Sequence, residues 1–372
     1  MNRHTIEGFA RRIAGASPRT KATLKELQTL SQGLEASAYK MVPGLMRARP
    51  RKITMAITAH CNLRCVGCRY GRDFMPGEQL SLETVTQVYE DAVEAGIRTV
   101  RLYGGEPLLH PDLPEMVRRG VERGLGVYVT TNGMLLRQKI DALYEAGLRS
   151  LTIGFYGLDT AYDTYVQRQG RFRRLVEGLD QVRSRYGKEF KLQLNFLLMK
   201  PSCSIEAVRH AWAFAERYDM TFHTDLIHYS LPYFTEGPER ELQFTPEDAP
   251  EIAEVTQELI RLRDADPVRF PEPYQSLKSI PDWLLKGPEM KVPCDISKLI
   301  WIGADGSVQL CYVTFPLGNL RETRLRDMLF TDTHHRSARD AFELKCPNCH
   351  CERAERVMKH LPSRLKYARL GE

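Results

Sequence analysis

From residue 53 onward, short β-branched and apolar runs alternate with stretches whose apolar residues recur at helical spacing. That alternation predicts parallel strands joined by crossover helices. Six units are predicted, with strands over 53–58, 99–103, 127–131, 150–155, 191–198 and 221–227. Helices over 82–95 and 135–146 fill two connections, and Gly96 and Gly147 stand where a helix end takes a left-handed residue. Six units fall short of a closed eight-fold barrel, which leaves a partial barrel or an ordinary doubly wound sheet. Either one puts binding groups at the C-terminal ends of the strands. The unusual segments lie there: cysteines after the first strand, Gly104-Gly105-Glu106-Pro107 after the second and Thr131-Asn132-Gly133 after the third.

The flanks read differently. Residues 1–52 are a helical extension with Leu24, Leu27, Leu30 and Leu34 at helical spacing, followed by basic Arg47, Arg49, Arg51 and Lys52. A helix docked on the catalytic part is the ordinary expectation, and weak membrane-surface contact is the sharper one. Residues 53–230 carry the βα units, and prolines through 231–292 break the rhythm and mark a connecting region. In 293–372, Asp305-Gly306 between two apolar runs signals a hairpin.

Composition narrows the function. The 53 Lys and Arg against 47 Asp and Glu are a mild basic bias, suited to an anionic substrate or an acidic electron-donor protein and not a nucleic-acid footprint. Nine cysteines, an odd number at metal-type spacings, argue against a disulfide framework and for a reducing cytoplasm. The N-terminus lacks a signal-peptide apolar run, and no stretch approaches the ~18 apolar residues of a membrane span.

Cys61, Cys65 and Cys68 stand at Cys-x3-Cys-x2-Cys spacing. Three thiolates at this spacing can hold one inorganic core and leave a corner without a protein ligand. Half a zinc ribbon, a disulfide pair and plain buried cysteines are the competing readings, and the x3 gap does not match a ribbon. The stretch CNLRCVGC resembles the signature of the radical SAM superfamily. The resemblance implies a 4Fe-4S cluster, S-adenosylmethionine cleaved reductively to a 5'-deoxyadenosyl radical, a flavodoxin or ferredoxin-type electron donor, and a partial (β/α)6 TIM-type barrel in an α/β fold. Gly67 stands where many members have an aromatic residue, with Tyr70 nearby as a substitute. Gly104, Gly105 and Glu106 resemble the motif that holds the methionine amino group. Two glycines also permit close backbone approach, and a carboxylate can accept from an ammonium. Asn132 and Arg168 complete the expected cofactor-binding set, although a solvated Arg168 is nearly as good a reading. Asp163 and Phe172 sit where related enzymes have similar residues.

Cys294 and Cys311, spaced Cys-x11-Gly-x4-Cys, with Cys346, Cys349 and Cys351 beyond, resemble the SPASM/Twitch extension, a small α+β domain. The resemblance implies one auxiliary iron-sulfur cluster, taken as 4Fe-4S, because five cysteines are too few for two; structural zinc is the alternative. Tyr156 at the barrel mouth is a substrate-facing candidate. Cys203, beyond the fifth strand, is a candidate hydrogen-atom donor or a small structural residue. His223 and His228 can reach the mouth, yet a lone histidine is more often structural. The expected activity is hydrogen abstraction from a small sugar-like, nucleoside or other polar substrate, giving epimerisation or dehydrogenation. Ribosomal-peptide maturation, lipid modification and a non-enzymatic iron-sulfur sensor are the rivals, and the lack of a separate N-terminal recognition domain favours the small molecule.

Overall fold

The computed structural model describes residues 31–68, 70, 75, 77–229, 237–294, 296–312 and 314–370. The predicted strands form as β1 Lys52–Thr58, β2 Thr99–Gly104, β3 Gly126–Thr131, β4 Ser150–Phe155, β5 Lys191–Leu198 and β6 Thr221–Leu226. They pair in chain order and all in parallel, as a partial barrel requires. Alternation along each strand separates two faces. Ile53, Met55, Val100, Leu102, Val129 and Leu194 enter the apolar core shared with the helices. On the other face the register sets Thr54 opposite Arg101, Arg101 opposite Tyr128, and Asn195 opposite His223. That inner wall joins a polar stretch around Arg101 to an aromatic patch of Ala56, Tyr103 and Trp301, and slipping one strand by a residue would exchange its two faces.

The connecting helices carry their own end signals. The helix Leu82–Glu94 starts where Ser81 accepts the amide of Thr84, and Gly96 follows it at φ 77°. The helix Arg171–Tyr186 begins against the Asp163 carboxylate, which accepts the amides of Gly170, Arg171 and Phe172. Asp163 thereby satisfies amides that a helix start leaves without an intrahelical partner.

Two features differ from the sequence reading. The proline-rich connection contains the seventeen-residue helix Ala249–Ala265, which packs on Ile205–Arg217. Pro250 lies in its first turn, where a missing N–H costs nothing. The C-terminal hairpin also joins the barrel sheet. Its strands β7 Leu299–Ile302 and β8 Ser307–Gln309 flank Gly306 at φ 84°, a third strand β9 Pro316–Asn319 follows, and β7 runs parallel to β1. The sheet therefore has nine strands ordered β6-β5-β4-β3-β2-β1-β7-β8-β9.

Residues 31–41 are helical, with Leu34 71% exposed; Leu24, Leu27 and Leu30 lie outside the described residues. The segment that follows is tied to the C-terminal region by Ala48 N–H to His335 Nδ1 at 3.1 Å and Arg51 N–H to the Lys298 carbonyl at 2.8 Å. Two of the four basic residues are paired within the chain, Arg49 with Glu35 and Lys52 with Glu352. Among the described residues no helix is long and apolar enough to cross a membrane.

Candidate metal centres and active site

β1 ends at Thr58 and the cysteine loop turns out over the C-terminal end of the sheet. Main-chain bonds shape the loop: Val66 N–H donates to the Tyr165 carbonyl at 2.8 Å, Arg64 N–H to Val166 at 3.3 Å and Cys68 N–H to Cys65 at 3.2 Å. Cys61 and Cys68 are exposed, and Cys65 is half-buried. The loop after β2 lies along its root, with Gly105 N–H on the Thr58 carbonyl and Glu106 N–H on that of His60, both at 2.8 Å. Gly104 has φ 138°, and a Cβ there would fall 2.2 Å from the Thr58 carbonyl oxygen. At Gly105 a Cβ would fall 2.3 Å from that of His60. Both glycines are required by contact between these two loops.

Glu106 is fully buried, and its carboxylate is engaged inside the protein. Oε1 accepts Thr131 Oγ1 at 2.6 Å and Leu108 N–H at 2.9 Å, and Oε2 accepts Asn132 N–H at 2.8 Å. Burial pushes the carboxyl up to about 7, against the pull of those three bonds. Asn132 continues the chain of contacts, its Nδ2 donating to Asn62 Oδ1 at 2.8 Å inside the cysteine loop. Glu106 therefore braces the loops after β1, β2 and β3 into one platform. Asn62 was not a sequence candidate; its place between Cys61 and Cys65 was the available signal.

Tyr156 stacks on Tyr165 at 4.3 Å, and burial drives its phenol well above the usual range, with Cys65 adding to the effect. It faces the cysteine loop. Arg168 is exposed between the helices Asp159–Tyr165 and Arg171–Tyr186. Tyr70 turns toward the C-terminal hairpin, where its hydroxyl accepts Ala304 N–H at 3.4 Å. Cys203 packs against the core shared with the helices, and burial, with Glu251 and Asp248 beyond it, pushes its thiol up to about 12. His223 is on the inner wall beside Asp225. Burial opposes ionisation of Asp225, but His350 and His223 prevail and hold its carboxyl below the usual range.

The remaining five cysteines come together. Cys294, Cys311, Cys346, Cys349 and Cys351 line one cavity with Tyr312, Asn348 and Arg356. Cys294 and Cys311 are delivered from the two sides of the β7–β8 hairpin, and the other three from the turn before the helix Arg353–Lys359. His228, just past β6, enters the same group: its Nε2 lies 3.5 Å from Cys351 Sγ, and the ligand atoms of His228, Cys349 and Cys351 are within 4.8 Å of one another.

Both donor sets fit iron-sulfur centres. Soft thiolates select such clusters or zinc, and the buried Arg356 beside the five thiols has an Nε without a partner among the described residues, as suits an anionic centre. Residues 55–201 match the Radical SAM superfamily, and residues 294–352 match an iron-sulfur cluster-binding domain, SPASM. The chain therefore holds a radical SAM domain over residues 55–201 and a SPASM domain over residues 294–352, and these domains take a 4Fe-4S cluster, S-adenosylmethionine and an auxiliary iron-sulfur cluster. It is 37% identical over 158 residues to GTP 3',8-cyclase of Listeria monocytogenes, covering 40% of this chain and 45% of that one. It is 32% identical over 158 residues to the AdoMet-dependent heme synthase of Methanosarcina barkeri, covering 42% and 44%. The chain thus spans less than half the length of these curated relatives. Its fold is similar to Streptococcus suis SuiB bound to precursor peptide SuiA, with TM-score 0.61, 14% identity and coverage of 87% of this chain and 72% of that one. It is also similar to native anSMEcpe with bound AdoMet, with TM-score 0.60, 15% identity and coverage of 86% and 96%.

Proposed function

We propose that Cys61, Cys65 and Cys68 hold the radical SAM cluster, that Gly104, Gly105 and Asn132 border the S-adenosylmethionine seat with Glu106 as their brace, and that the substrate is a small polar or anionic molecule against the inner barrel wall. The polar stretch of that wall around Arg101 carries the reading. Arg101 donates from Nε to Thr130 Oγ1 at 2.8 Å and from Nη1 to the Tyr312 hydroxyl at 3.3 Å. Its guanidinium also lies over the Tyr103 ring at 5.0 Å, and its remaining N–H groups can take an anionic oxygen. Asn195, His223 and Asp225 supply acceptors and donors across the wall. The GTP cyclases named above act on a nucleotide, which supports the anionic end of the range.

Bound at these sites, the cluster and S-adenosylmethionine supply a radical that removes a hydrogen atom from an unactivated carbon, and the auxiliary cluster supplies a one-electron partner. Cys294 and Cys311 with two of Cys346, Cys349 and Cys351 would hold the auxiliary cluster. Tyr156 shields the cysteine loop on one side. Cys203, set against the helix-facing core, suits a structural thiol better than a hydrogen donor, so an oxidative outcome is favoured over epimerisation. A flavodoxin or ferredoxin-type protein is the expected reductant.

The test is anaerobic reconstitution followed by reduction with S-adenosylmethionine present. Expected are about eight iron atoms per chain and equal amounts of 5'-deoxyadenosine and methionine. Once a substrate is in hand, turnover in deuterated water should leave no solvent deuterium on the reacting carbon. Stoichiometric zinc without a chromophore would sink the reading.

A further inference from the structure

Arg356 and His228 stand beside the five thiols of the C-terminal cavity, and the placement of the arginine is costly without an anion nearby. Arg356 is 1% exposed. Its Nη2 donates to the Val292 carbonyl at 2.5 Å and to Asn348 Oδ1 at 3.1 Å, Nη1 donates to the Cys349 carbonyl, and the guanidinium lies over Trp283 at 4.8 Å. All of these partners are neutral. No carboxylate pairs with Arg356 among the described residues, and its Nε has no partner there. Arg353, three residues earlier on the same helix, is buried too but meets Glu272 at 2.5 Å. A buried charge left uncompensated is strongly unfavourable, so the counter-charge of Arg356 has to come from the thiolate cavity that it lines.

His228 approaches from the barrel side. It is buried, two residues past the end of β6, and its Nε2 is within hydrogen-bond reach of Cys351 Sγ at 3.5 Å. The inner-wall residue Asp225 stands three residues earlier, near the end of β6, so one short segment runs from the barrel wall to the thiol cavity. Hydrogen bonds to cluster sulfurs and nearby positive charge are the protein's means of raising a cluster's reduction potential.

We propose that His228 and Arg356 are positioning residues of the auxiliary centre: His228 donates Nε2–H to the Cys351 sulfur, Arg356 supplies the counter-charge, and together they raise the reduction potential so that the centre accepts an electron from the barrel side. This rests on placing the auxiliary cluster in the five-thiol cavity, and the experiment separates the two claims. EPR-monitored potentiometry on the anaerobically reconstituted holoenzyme reads each cluster apart, with added S-adenosylmethionine marking the signal of the first. Cys294→Ala and Cys311→Ala must abolish the auxiliary signal, and its survival in both overturns the placement and the inference with it. With the placement upheld, His228→Phe and Arg356→Gln should each shift the auxiliary reduction equilibrium at least tenfold toward the oxidised form, about 59 mV for one electron, and leave the first cluster unmoved. Arg356→Lys should recover much of that shift. In pulsed EPR of protein carrying ¹⁵N-histidine, a weak nitrogen coupling is expected that disappears in His228→Phe. Full iron content with unshifted potentials overturns the inference, as does a strong coupling that marks His228 as a direct ligand. If Arg356→Gln loses its iron, His228→Phe decides alone.

Discussion

Cys61, Cys65 and Cys68 come from one short loop, are largely open to solvent and are held by main-chain bonds. The five thiols of the second cavity come from segments far apart in the chain, with a buried arginine lining the cavity and the buried His228 beside Cys351. The contrast separates two ways of building a metal centre. A local loop fixes ligand spacing cheaply and keeps one side open, which suits a centre that must meet a small molecule. A site assembled by the tertiary fold closes around its contents and can surround them with chosen charges, which suits a centre that exchanges electrons.

The strongest way to break this comparison is to remove thiols from each side. Cys61→Ala, Cys65→Ala or Cys68→Ala is expected to abolish 5'-deoxyadenosine formation and lower iron from about eight to about four atoms per chain, as read by chromatography and iron analysis. Cys311→Ala should lower iron by a similar amount yet keep S-adenosylmethionine cleavage. If both losses abolish cleavage, the division of labour is wrong.

A smaller effect is expected at the brace beneath the open loop. Glu106→Ala leaves Thr131 Oγ1 and two amides without their buried acceptor, which should cost roughly 2–5 kcal/mol as several unsatisfied groups, read as a fall in denaturant midpoint. The same carboxyl gives a pH signature. Its value is raised in the folded protein from an ordinary 4.5 to about 7, so the native state holds this proton more tightly than the unfolded chain does. Its contribution is therefore fully present below about pH 4.5 and is lost as pH rises through about 7. Thermal unfolding across that window should show stability declining with pH, and Glu106→Gln should flatten the decline.

Asn132→Ala cuts the bond to Asn62 and should cost about 1 kcal/mol while raising the S-adenosylmethionine concentration needed for half-maximal cleavage. The smallest effect belongs to Arg49→Ala, which breaks an exposed pair with Glu35. A change within about 0.5 kcal/mol in chemical denaturation would show that this pair is not what anchors the N-terminal segment.

The same contrast explains how much could be read from the chain. Strand and helix positions followed from periodicity, and the three-cysteine loop from spacing, because both signals are local. The bracing contacts of Glu106 did not follow: a carboxylate after two glycines carries no sign in sequence of which loops it will hold together, and the positions of Thr131 and Asn132 are set by the fold. His228 was legible as a histidine able to reach the barrel mouth, but it lies more than a hundred residues from the cysteines it meets, so no local pattern pairs it with them. The helix Ala249–Ala265 was hidden by its own first-turn proline. The parallel pairing of β7 with β1 was hidden by the shortness of β7, whose four residues carry no periodicity.

That last pairing bears on how the protein is made. β1 lies inside the sheet between β2 and β7, and β7 is synthesised about 250 residues after it, so one edge of β1 stays unpaired through most of translation. The segment is apolar and carries the strand that leads into Cys61. A growing chain thus exposes an adhesive strand edge beside its three-cysteine loop until the C-terminal hairpin arrives. Versions truncated before residue 299 are accordingly expected to aggregate during expression even where the six βα units are complete.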